Sequence, residues 1–301
     1  MAAWPYHAGE LEAQRRAGGG NRGGAIRDQM PPQHRAFFEQ LPFVVVASID
    51  PGGPIATVWT GAPGFVRAPD PQRLRIAVAL DPADPASPAF TTGAAFGMLG
   101  IELATRRRNR ANGVIEAAGP GEIAVWVRQS FGNCPQYIHP RELGRASPGP
   151  GTVEPLDHLD RGARDSIAAA DTLFVATGAA LGEATGGVDV SHRGGPPGFV
   201  RVDGDVLTIP DYAGNRYFNT LGNLVSDPRA GLVFVDFTTG DVVQLQGTTE
   251  IQWDGPEVAA LDGAERLWRL HVERGWRRRA AVALRSMREP PPAAGSPGVS
   301  A

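Results

Sequence analysis

Two stretches of the chain, 134 positions apart, have almost the same sequence. Residues 61–67 are GAPGFVR and residues 195–201 are GPPGFVR, so six of the seven positions are identical. The same offset places Gly97 on Gly231 and Gly113 on Gly247. Because the offset persists from one glycine pair to the next, two copies of one domain are the economical explanation.

Both copies have the sequence pattern of β-structure. Short segments, either β-branched or alternating between apolar and polar residues, are separated by turns rich in glycine and proline, and such segments predict strands. They lie at residues 43–48, 74–79, 97–103 and 123–127 in the first copy, and at 172–177, 199–202, 206–209, 231–237 and 242–247 in the second. Many short strands with these turns favour a barrel. The sequence therefore predicts a mainly β fold, with two tandem β-barrel domains and flanking helices.

The boundaries of these domains follow from changes in composition. We expect an N-terminal helical arm at 1–40, a first barrel at 41–146, a linker at 147–167, a second barrel at 168–254, a C-terminal helical segment at 255–289 and a disordered tail at 290–301. In the arm, His7 and Glu10 are expected as an exposed pair on a helix. In the C-terminal segment, Leu267, Trp268 and Leu270 are expected to form a helical apolar stripe that packs on the barrel.

Composition limits the classes of function. A chain of 301 residues can hold two domains, and a net charge of −3 with 42% apolar residues is typical of a soluble globular protein. The charge gives no support for nucleic-acid binding. No apolar run is long enough for a membrane span and no signal peptide is visible near the start, so a cytoplasmic location without membrane contact is expected.

The usage of cysteine and lysine limits the chemistry further. Cys134 is the only cysteine, which excludes an internal disulfide and a thiolate-rich metal site. Redox chemistry would therefore need a cofactor. The chain has no lysine, so an anion would have to be bound by the planar guanidinium groups of arginine.

Two polar clusters of the second copy are candidates for such a site. Ser191, His192, Arg193 and Gly194 place donors and a cation beside glycine, where a ligand can approach closely. Residues 211–216 precede a predicted short helix at 217–225, where Asn215 could cap the helix and Arg216 could add charge to a phosphate seat. The alternative is an ordinary surface loop followed by a helix start with a solvated arginine.

A longer pattern runs through both clusters. Its segments are 187–195 (GVDVSHRGG), 209–215 (IPDYAGN), 219–223 (NTLGN), 227–232 (DPRAGL), 235–237 (VDF) and 244–247 (QLQG), together with 133–138 (NCPQYI) in the first copy. The combination resembles the pyridoxamine 5′-phosphate oxidase-like family of FMN-binding split-barrel proteins, and NCPQYI resembles its tandem-domain branch. The resemblance covers roughly residues 35–255.

The resemblance implies that FMN lies in a groove between two split barrels. Relatives form this pair of barrels from two chains. Here the two tandem copies would form the pair within one chain, as a pseudo-dimer. Residues 77–96 of the first copy contain no basic residue and include Asp81 and Asp84, which would repel a phosphate. We therefore expect one FMN per chain, bound by the second copy.

The resemblance also assigns roles to residues. Asn215 and Arg216 would hold the phosphate, the backbone of Ile209, Pro210 and Asp211 would pass beside the ring, and Gln244 would face the isoalloxazine. The remaining cofactor-binding candidates are Ser191, His192, Arg193 and Gly194, with Arg110 reaching the groove from the first copy. Catalytic candidates are His192, as a proton donor, and Cys134 and Tyr137 on the substrate side.

The function implied is that of an FMN-dependent oxidoreductase that acts on a small molecule, with electrons from NAD(P)H or a partner reductase. Vitamin B6 oxidation is doubtful, because the C-terminal Arg-x-His substrate signature of true pyridoxamine phosphate oxidases is missing. Two alternatives remain open: a flavin-binding protein without turnover, and a split barrel that binds a deazaflavin or haem. A homodimer is possible.

Overall fold

A computed structural model describes residues 5–147, 149, 151–182 and 185–287 of the chain. The tail expected at 290–301 lies outside these residues. Within the described ranges, none of the helices has the length and apolar character needed to span a membrane.

The chain begins with two helices and a seven-stranded antiparallel sheet. The helices are α1 (Ala8–Arg16) and α2 (Pro32–Gln40). The strands are β1 (Phe43–Asp50), β2 (Gly53–Thr60), β3 (Val66–Asp70), β4 (Arg73–Ile76), β5 (Ala95–Glu102), β6 (Arg107–Gly119) and β7 (Glu122–Gly132). The prolines between β4 and β5 leave room only for a short 3-10 helix, Ser87–Ala89.

The second half contains a larger antiparallel sheet. After β8 (Leu143–Arg145), β9 (Val153–Leu156) and α3 (Arg161–Ala169) come β10 (Thr172–Ala179), β11 (Gly187–Gly194), β12 (Arg201–Asp203) and β13 (Val206–Tyr212). They are followed by α4 (Asn219–Ser226), β14 (Arg229–Val235), β15 (Val242–Gln252), α5 (Pro256–Ala259), β16 (Ala264–Arg278) and β17 (Leu284–Ser286).

The two sheets have the same strand order. The first is β2-β1-β5-β6-β7-β4-β3, and the second is β11-β10-β14-β15-β16-β13-β12 with β9 added beside β16. Each strand of the first sheet thus has a counterpart at the same place in the second. The prediction of a mainly β fold is confirmed, and the arrangement is compatible with two tandem domains.

Three buried clusters hold these sheets together. One lies within the first copy and includes Trp59, Phe90 and Phe96. A second lies within the second copy around Trp268. The third combines strands of both copies and includes Phe43 of β1. Because this third cluster is shared, the two sheets form one packed body.

One repeated pair of glycines, Gly97 and Gly231, lies where the two sheets meet. A Cβ atom at Gly97 would lie 2.5 Å from the carbonyl oxygen of Val188 in the other copy, and one at Gly231 would lie 2.4 Å from that of Pro54. A larger residue at either position would force the backbones apart. The shared spacing seen in the sequence therefore reflects the contact between the copies.

The prediction of a helical segment at 255–289 is wrong for most of its length. Among the described residues 255–287 only α5 is helical, and residues 264–278 form β16, which pairs with both β13 and β15. Trp268 and Leu270 alternate with polar residues and are fully buried in the second core. Hydrogen bonds to two neighbouring strands outweigh the local helical preference of this stretch. The second sheet therefore extends to Arg278 and not to residue 254.

The linker and the arm also differ from expectation. The expected linker contains β9 and most of α3, so it is part of the fold. The arm does contain two helices, but His7 and Glu10 are only 3% exposed, because α1 packs against α4 of the second copy. The expectation of an exposed pair is wrong.

Candidate functional site

A cleft lies where β6 of the first copy meets β11, the end of β13 and the start of α4. Most of the residues singled out from the sequence line it: Arg110, Cys134, Tyr137, Ser191, His192, Arg193, Gly194, Pro210, Asp211, Asn215 and Arg216. Ile209 is buried in the core behind the cleft. The two clusters of the second copy and the NCPQYI segment of the first therefore come together in space.

Arg110 connects the two copies at the base of the cleft. Its Nη2 donates to Ser191 Oγ (2.5 Å) and its Nη1 to Asn219 Oδ1 (3.0 Å), while Asp189 lies 3.7 Å away. Burial lowers the pKa of the guanidinium, and Asp189 partly offsets this. The charge of Arg110 is thus stabilised from behind, and its Nε has no hydrogen-bond partner.

Arg108, which the sequence analysis did not select, lies two residues away on the same face of β6. It donates to the carbonyl oxygens of Cys134 (2.9 Å) and His192 (3.2 Å). Burial and the nearby charges of Arg110 and Arg193 lower its pKa to about 9. Among the described residues, no carboxylate oxygen lies within 4.0 Å of its guanidinium nitrogens. Arg108 is therefore a largely buried cation without a counterion.

The position of Arg108 fixes the chemistry of His192. Its Nη1 lies 3.1 Å from His192 Nδ1, and because a guanidinium can only donate, Nδ1 is the acceptor. Burial, together with the charges of Arg108 and Arg193, lowers the pKa of His192 well below its usual value. The ring is neutral, and its hydrogen is on Nε2, which is buried without a partner. The geometry does not favour His192 as the expected acidic proton donor, and the ring instead offers one hydrogen bond to a ligand.

Arg193 is less available to an anion than the sequence suggested. Its Nη1 donates to Asp211 Oδ1 (2.5 Å), and Arg266 Nη1 donates to the other oxygen of the same carboxylate (2.7 Å). Asp211 therefore neutralises part of the charge on this side of the cleft. The Nε of Arg193 is buried and unpaired.

The start of α4 opens into the cleft without a side-chain cap. Its N-cap is Phe218, in a left-handed conformation (φ 60°), and no side chain accepts from the first turn. The predicted cap, Asn215, instead accepts from Tyr217 N (3.2 Å) and donates to Asn133 (3.1 Å). The capping prediction is wrong because the two left-handed residues, Arg216 and Phe218, separate Asn215 from the helix. The free N–H groups of an eight-residue helix thus point at the cleft.

Arg216 lies at the exposed rim, held by the arm. Its guanidinium donates to the carbonyl oxygens of Ala17 (2.7 Å) and Gly19 (2.7 Å). No acidic side chain among the described residues pairs with it within 4.0 Å. Arg216 therefore keeps its positive charge available to an anion at the rim.

Gln244 lies outside this cleft, and its predicted place beside the other site residues is wrong. Its Nε2 donates to the carbonyl oxygen of Ala56 (2.8 Å) and to Asp84 (3.2 Å), on the opposite side of the interface between the copies. Gln244 and Arg110 occupy equivalent positions in the two copies. Gln244 pairs with Val233 and Arg110 pairs with Leu99, and Val233 and Leu99 are 134 positions apart. Equivalent residues of two facing copies line two different clefts.

The substrate-side candidates form one wall of the cleft. Tyr137 is 41% exposed, has a left-handed backbone (φ 64°) and packs on Tyr212 with ring centroids 5.0 Å apart. Cys134 is a partly buried free thiol. Among the described residues no group of three or more His, Cys, Asp or Glu side chains could hold a metal ion.

A comparison with family models matches less than half of the chain. Residues 159–287 match the family model described as Pyridoxamine 5′-phosphate oxidase. No curated protein matches the chain.

Three solved structures that are similar to this chain each cover less than half of it. HupZ from Group A Streptococcus is 19% identical, with 41% of this chain and 97% of HupZ covered and a TM-score of 0.33. A putative pyridoxamine 5′-phosphate oxidase from Lactobacillus delbrueckii is 13% identical, with coverages of 35% and 95% and a TM-score of 0.28. An FAD-binding protein from Mesorhizobium loti is 13% identical, with coverages of 42% and 97% and a TM-score of 0.29.

Proposed function

Residues 159–287 match the family model described as Pyridoxamine 5′-phosphate oxidase, and we propose that the chain is a member of this family whose cleft binds FMN, one molecule per chain. One observation carries the proposal. Four buried donor atoms of the cleft have no acceptor among the described residues: Arg110 Nε, Asn133 Nδ2, His192 Nε2 and Arg193 Nε. Buried donors left unpaired are costly and rare. A ligand rich in acceptor atoms would satisfy them.

The charge of the cleft supports an anionic ligand. Within the part of the chain that the structure describes, Arg108 inside the cleft and Arg216 at the rim have no carboxylate partner, and the uncapped start of α4 adds partial positive charge. A flavin nucleotide offers both features, because it combines a phosphate with the carbonyl and nitrogen acceptors of its ring. Arg216, Arg110 and the first turn of α4 would hold the phosphate, and Arg108 and His192 would donate to the carbonyl and nitrogen acceptors of the ring.

Flavin supplies one- and two-electron transfer when it is bound. The side chains around it would orient the ring, exclude water and place positive charge nearby. Tyr137 and Tyr212 would present an aromatic wall to a small-molecule substrate. We therefore favour an oxidoreductase over a protein that only stores or senses flavin. Anaerobic addition of NADPH to the flavin-loaded protein tests this choice: loss of flavin absorbance is expected, and an unchanged spectrum with NADPH and NADH would favour the non-catalytic alternative.

Haem is the less favoured ligand because of the state of His192. To bind iron, a histidine must offer a nitrogen lone pair. Here Arg108 donates to Nδ1, so Nε2 has the hydrogen and no free lone pair. A deazaflavin with a phosphate would meet the same donors as FMN, and the mass of the bound molecule separates the two.

A comparison of FMN with riboflavin tests the phosphate seat. We expect the ligand-free protein to bind FMN at least about 100-fold more tightly than riboflavin, because two charge-assisted hydrogen bonds to a phosphate contribute roughly 1.5–3 kcal/mol each. Fluorescence titration measures both affinities. Equal affinities for the two flavins would contradict a phosphate-binding site in this cleft.

A further inference from the structure

The cleft has a counterpart on the other side of the interface between the copies. In the cleft, Arg110 contacts Ser191 and Asn219. Strand registers identify the equivalent positions. Leu99 pairs with Arg110 in the first sheet, as Val233 pairs with Gln244 in the second. In the same way, Val46 pairs with Thr57 and Val175 pairs with Ser191. Gln244 and Thr57 therefore take the places of Arg110 and Ser191, and the segment joining β4 to β5 takes the place of α4.

This counterpart is filled by the side chain of Asp84. The carboxylate is buried, with 4% of the residue exposed, and accepts four hydrogen bonds. They come from Thr57 Oγ1 (2.5 Å), Gln244 Nε2 (3.2 Å), Arg278 Nη1 (2.7 Å) and the backbone N–H of Ala86 (3.0 Å). Asp84 thus occupies the position at which donors from both copies converge.

The two sites have opposite distributions of charge. In the cleft the central strand supplies a cation, Arg110, and the connecting segment supplies a neutral amide, Asn219. In the counterpart the central strand supplies a neutral amide, Gln244, and the connecting segment supplies an anion, Asp84. The counterpart therefore has a carboxylate at the centre of its donors, whereas the cleft has a neutral amide at the equivalent place and donors without acceptors.

Arg278 is a further difference between the counterpart and the cleft. It lies two residues after Trp276, which pairs with Gln244, just as Asn133 lies two residues after Phe131, which pairs with Arg110. Its guanidinium is buried against Asp84, and its Nη2 also reaches the more exposed Asp81 (3.1 Å). Asn133, at the equivalent place in the cleft, has an unpaired Nδ2.

We infer that the counterpart is a second anion site, which the chain fills with its own Asp84 carboxylate. Its ligands would be small oxyanions, a carboxylate above all, once that side chain is removed. This occupancy explains why one chain would bind one nucleotide and not two. The inference concerns only the donors around Asp84, which do not line the cleft, so it stands or falls independently of whether the cleft binds FMN.

Removing Asp84 and supplying its carboxylate from solution tests the inference. Asp84→Gly removes the equivalent of one acetate ion and takes away the carboxylate to which Thr57, Gln244 and Arg278 donate. We expect a lower melting temperature than that of the unaltered protein, and we expect sodium acetate to restore roughly half or more of the loss in a saturable way. Sodium chloride at the same ionic strength should restore much less, and the unaltered protein should respond equally to both salts.

The double variant Asp84→Gly/Arg278→Gln is the matched control, because it lacks the cation that would bind acetate. Equal responses of Asp84→Gly to acetate and chloride, or the same recovery in the double variant, would overturn the inference. If Asp84→Gly does not fold, Asp84→Ser is titrated with acetate instead. Absence of selective stabilisation of that variant would equally overturn the inference.

Discussion

Replacing Arg108 by methionine is expected to weaken FMN binding by about 100-fold while making the ligand-free protein more stable. The binding loss follows from removing a buried charged donor, worth roughly 1.5–3 kcal/mol. The gain in stability, about 1–2 kcal/mol, follows because the folded protein no longer buries a cation without a counterion. Flavin titration and thermal unfolding of the same ligand-free preparation measure the two effects.

Arg107→Met is the matched control for this variant. Arg107 is the exposed neighbour on β6 and lies over the ring of Phe37. Its replacement should leave FMN affinity unchanged and alter stability by no more than about 0.5 kcal/mol. A structural role for Arg108 alone would give the opposite pattern, with lower stability and unchanged FMN affinity.

Stability should fall as the pH rises from about 4.5 to about 8 because of Glu10. Burial, then repulsion from Asp189, raises its pKa from 4.5 to about 8, although bonds from His7 N and Asn219 and the charge of Arg110 oppose this. The folded state therefore holds the Glu10 proton more tightly than the unfolded state does. The contribution is fully present below pH 4.5, is lost through pH 8, and amounts to at most about 5 kcal/mol.

Glu10→Gln should remove this pH dependence. The amide resembles the neutral carboxyl group, so the variant should match the unaltered protein near pH 5 and exceed its stability near pH 9. Thermal unfolding across this range measures the difference, and amide exchange in α1 locates it. Glu12→Gln is the control, because Glu12 is exposed and its pKa is lowered to about 2 by Arg15 and Arg16. An identical slope in the protein with and without Glu10 would show that another group titrates.

Much of the fold could be predicted because the repeated sequence contains residues that the backbone needs at fixed positions. Gly97 and Gly231 are needed where the copies touch, and the flanking strands alternate clearly. The stretch at 264–278 was misassigned because its local composition favours a helix, whereas its strand pairing is formed with residues distant in the sequence. Local propensity carries no information about such partners.

The candidate site was partly predictable for a related reason. The clusters at 191–194 and 211–216 are local in sequence, and both line the cleft. Gln244 was wrongly expected in the same cleft as Arg110. The two residues are equivalent by the 134-residue offset, and equivalent residues of two facing copies lie in different clefts. The burial of Glu10 could not be predicted, because nothing in the arm's sequence shows that α4 covers it.

Arg108 could have been found from the sequence. In a strand, residues two apart face the same side, so Arg108 shares a face with Arg110. What the sequence could not provide is the absence of a carboxylate around it, because Asp189, Asp211 and Glu265 come from distant strands.

The central claim is that one flavin mononucleotide is bound per chain, in the cleft of the second copy. The most direct test is to purify the full-length protein, release its bound molecule by heat, and determine the mass, absorbance spectrum and molar ratio of that molecule to protein. We predict FMN at a ratio near one to one. A molecule other than a flavin nucleotide, or two flavins per chain, would contradict the account.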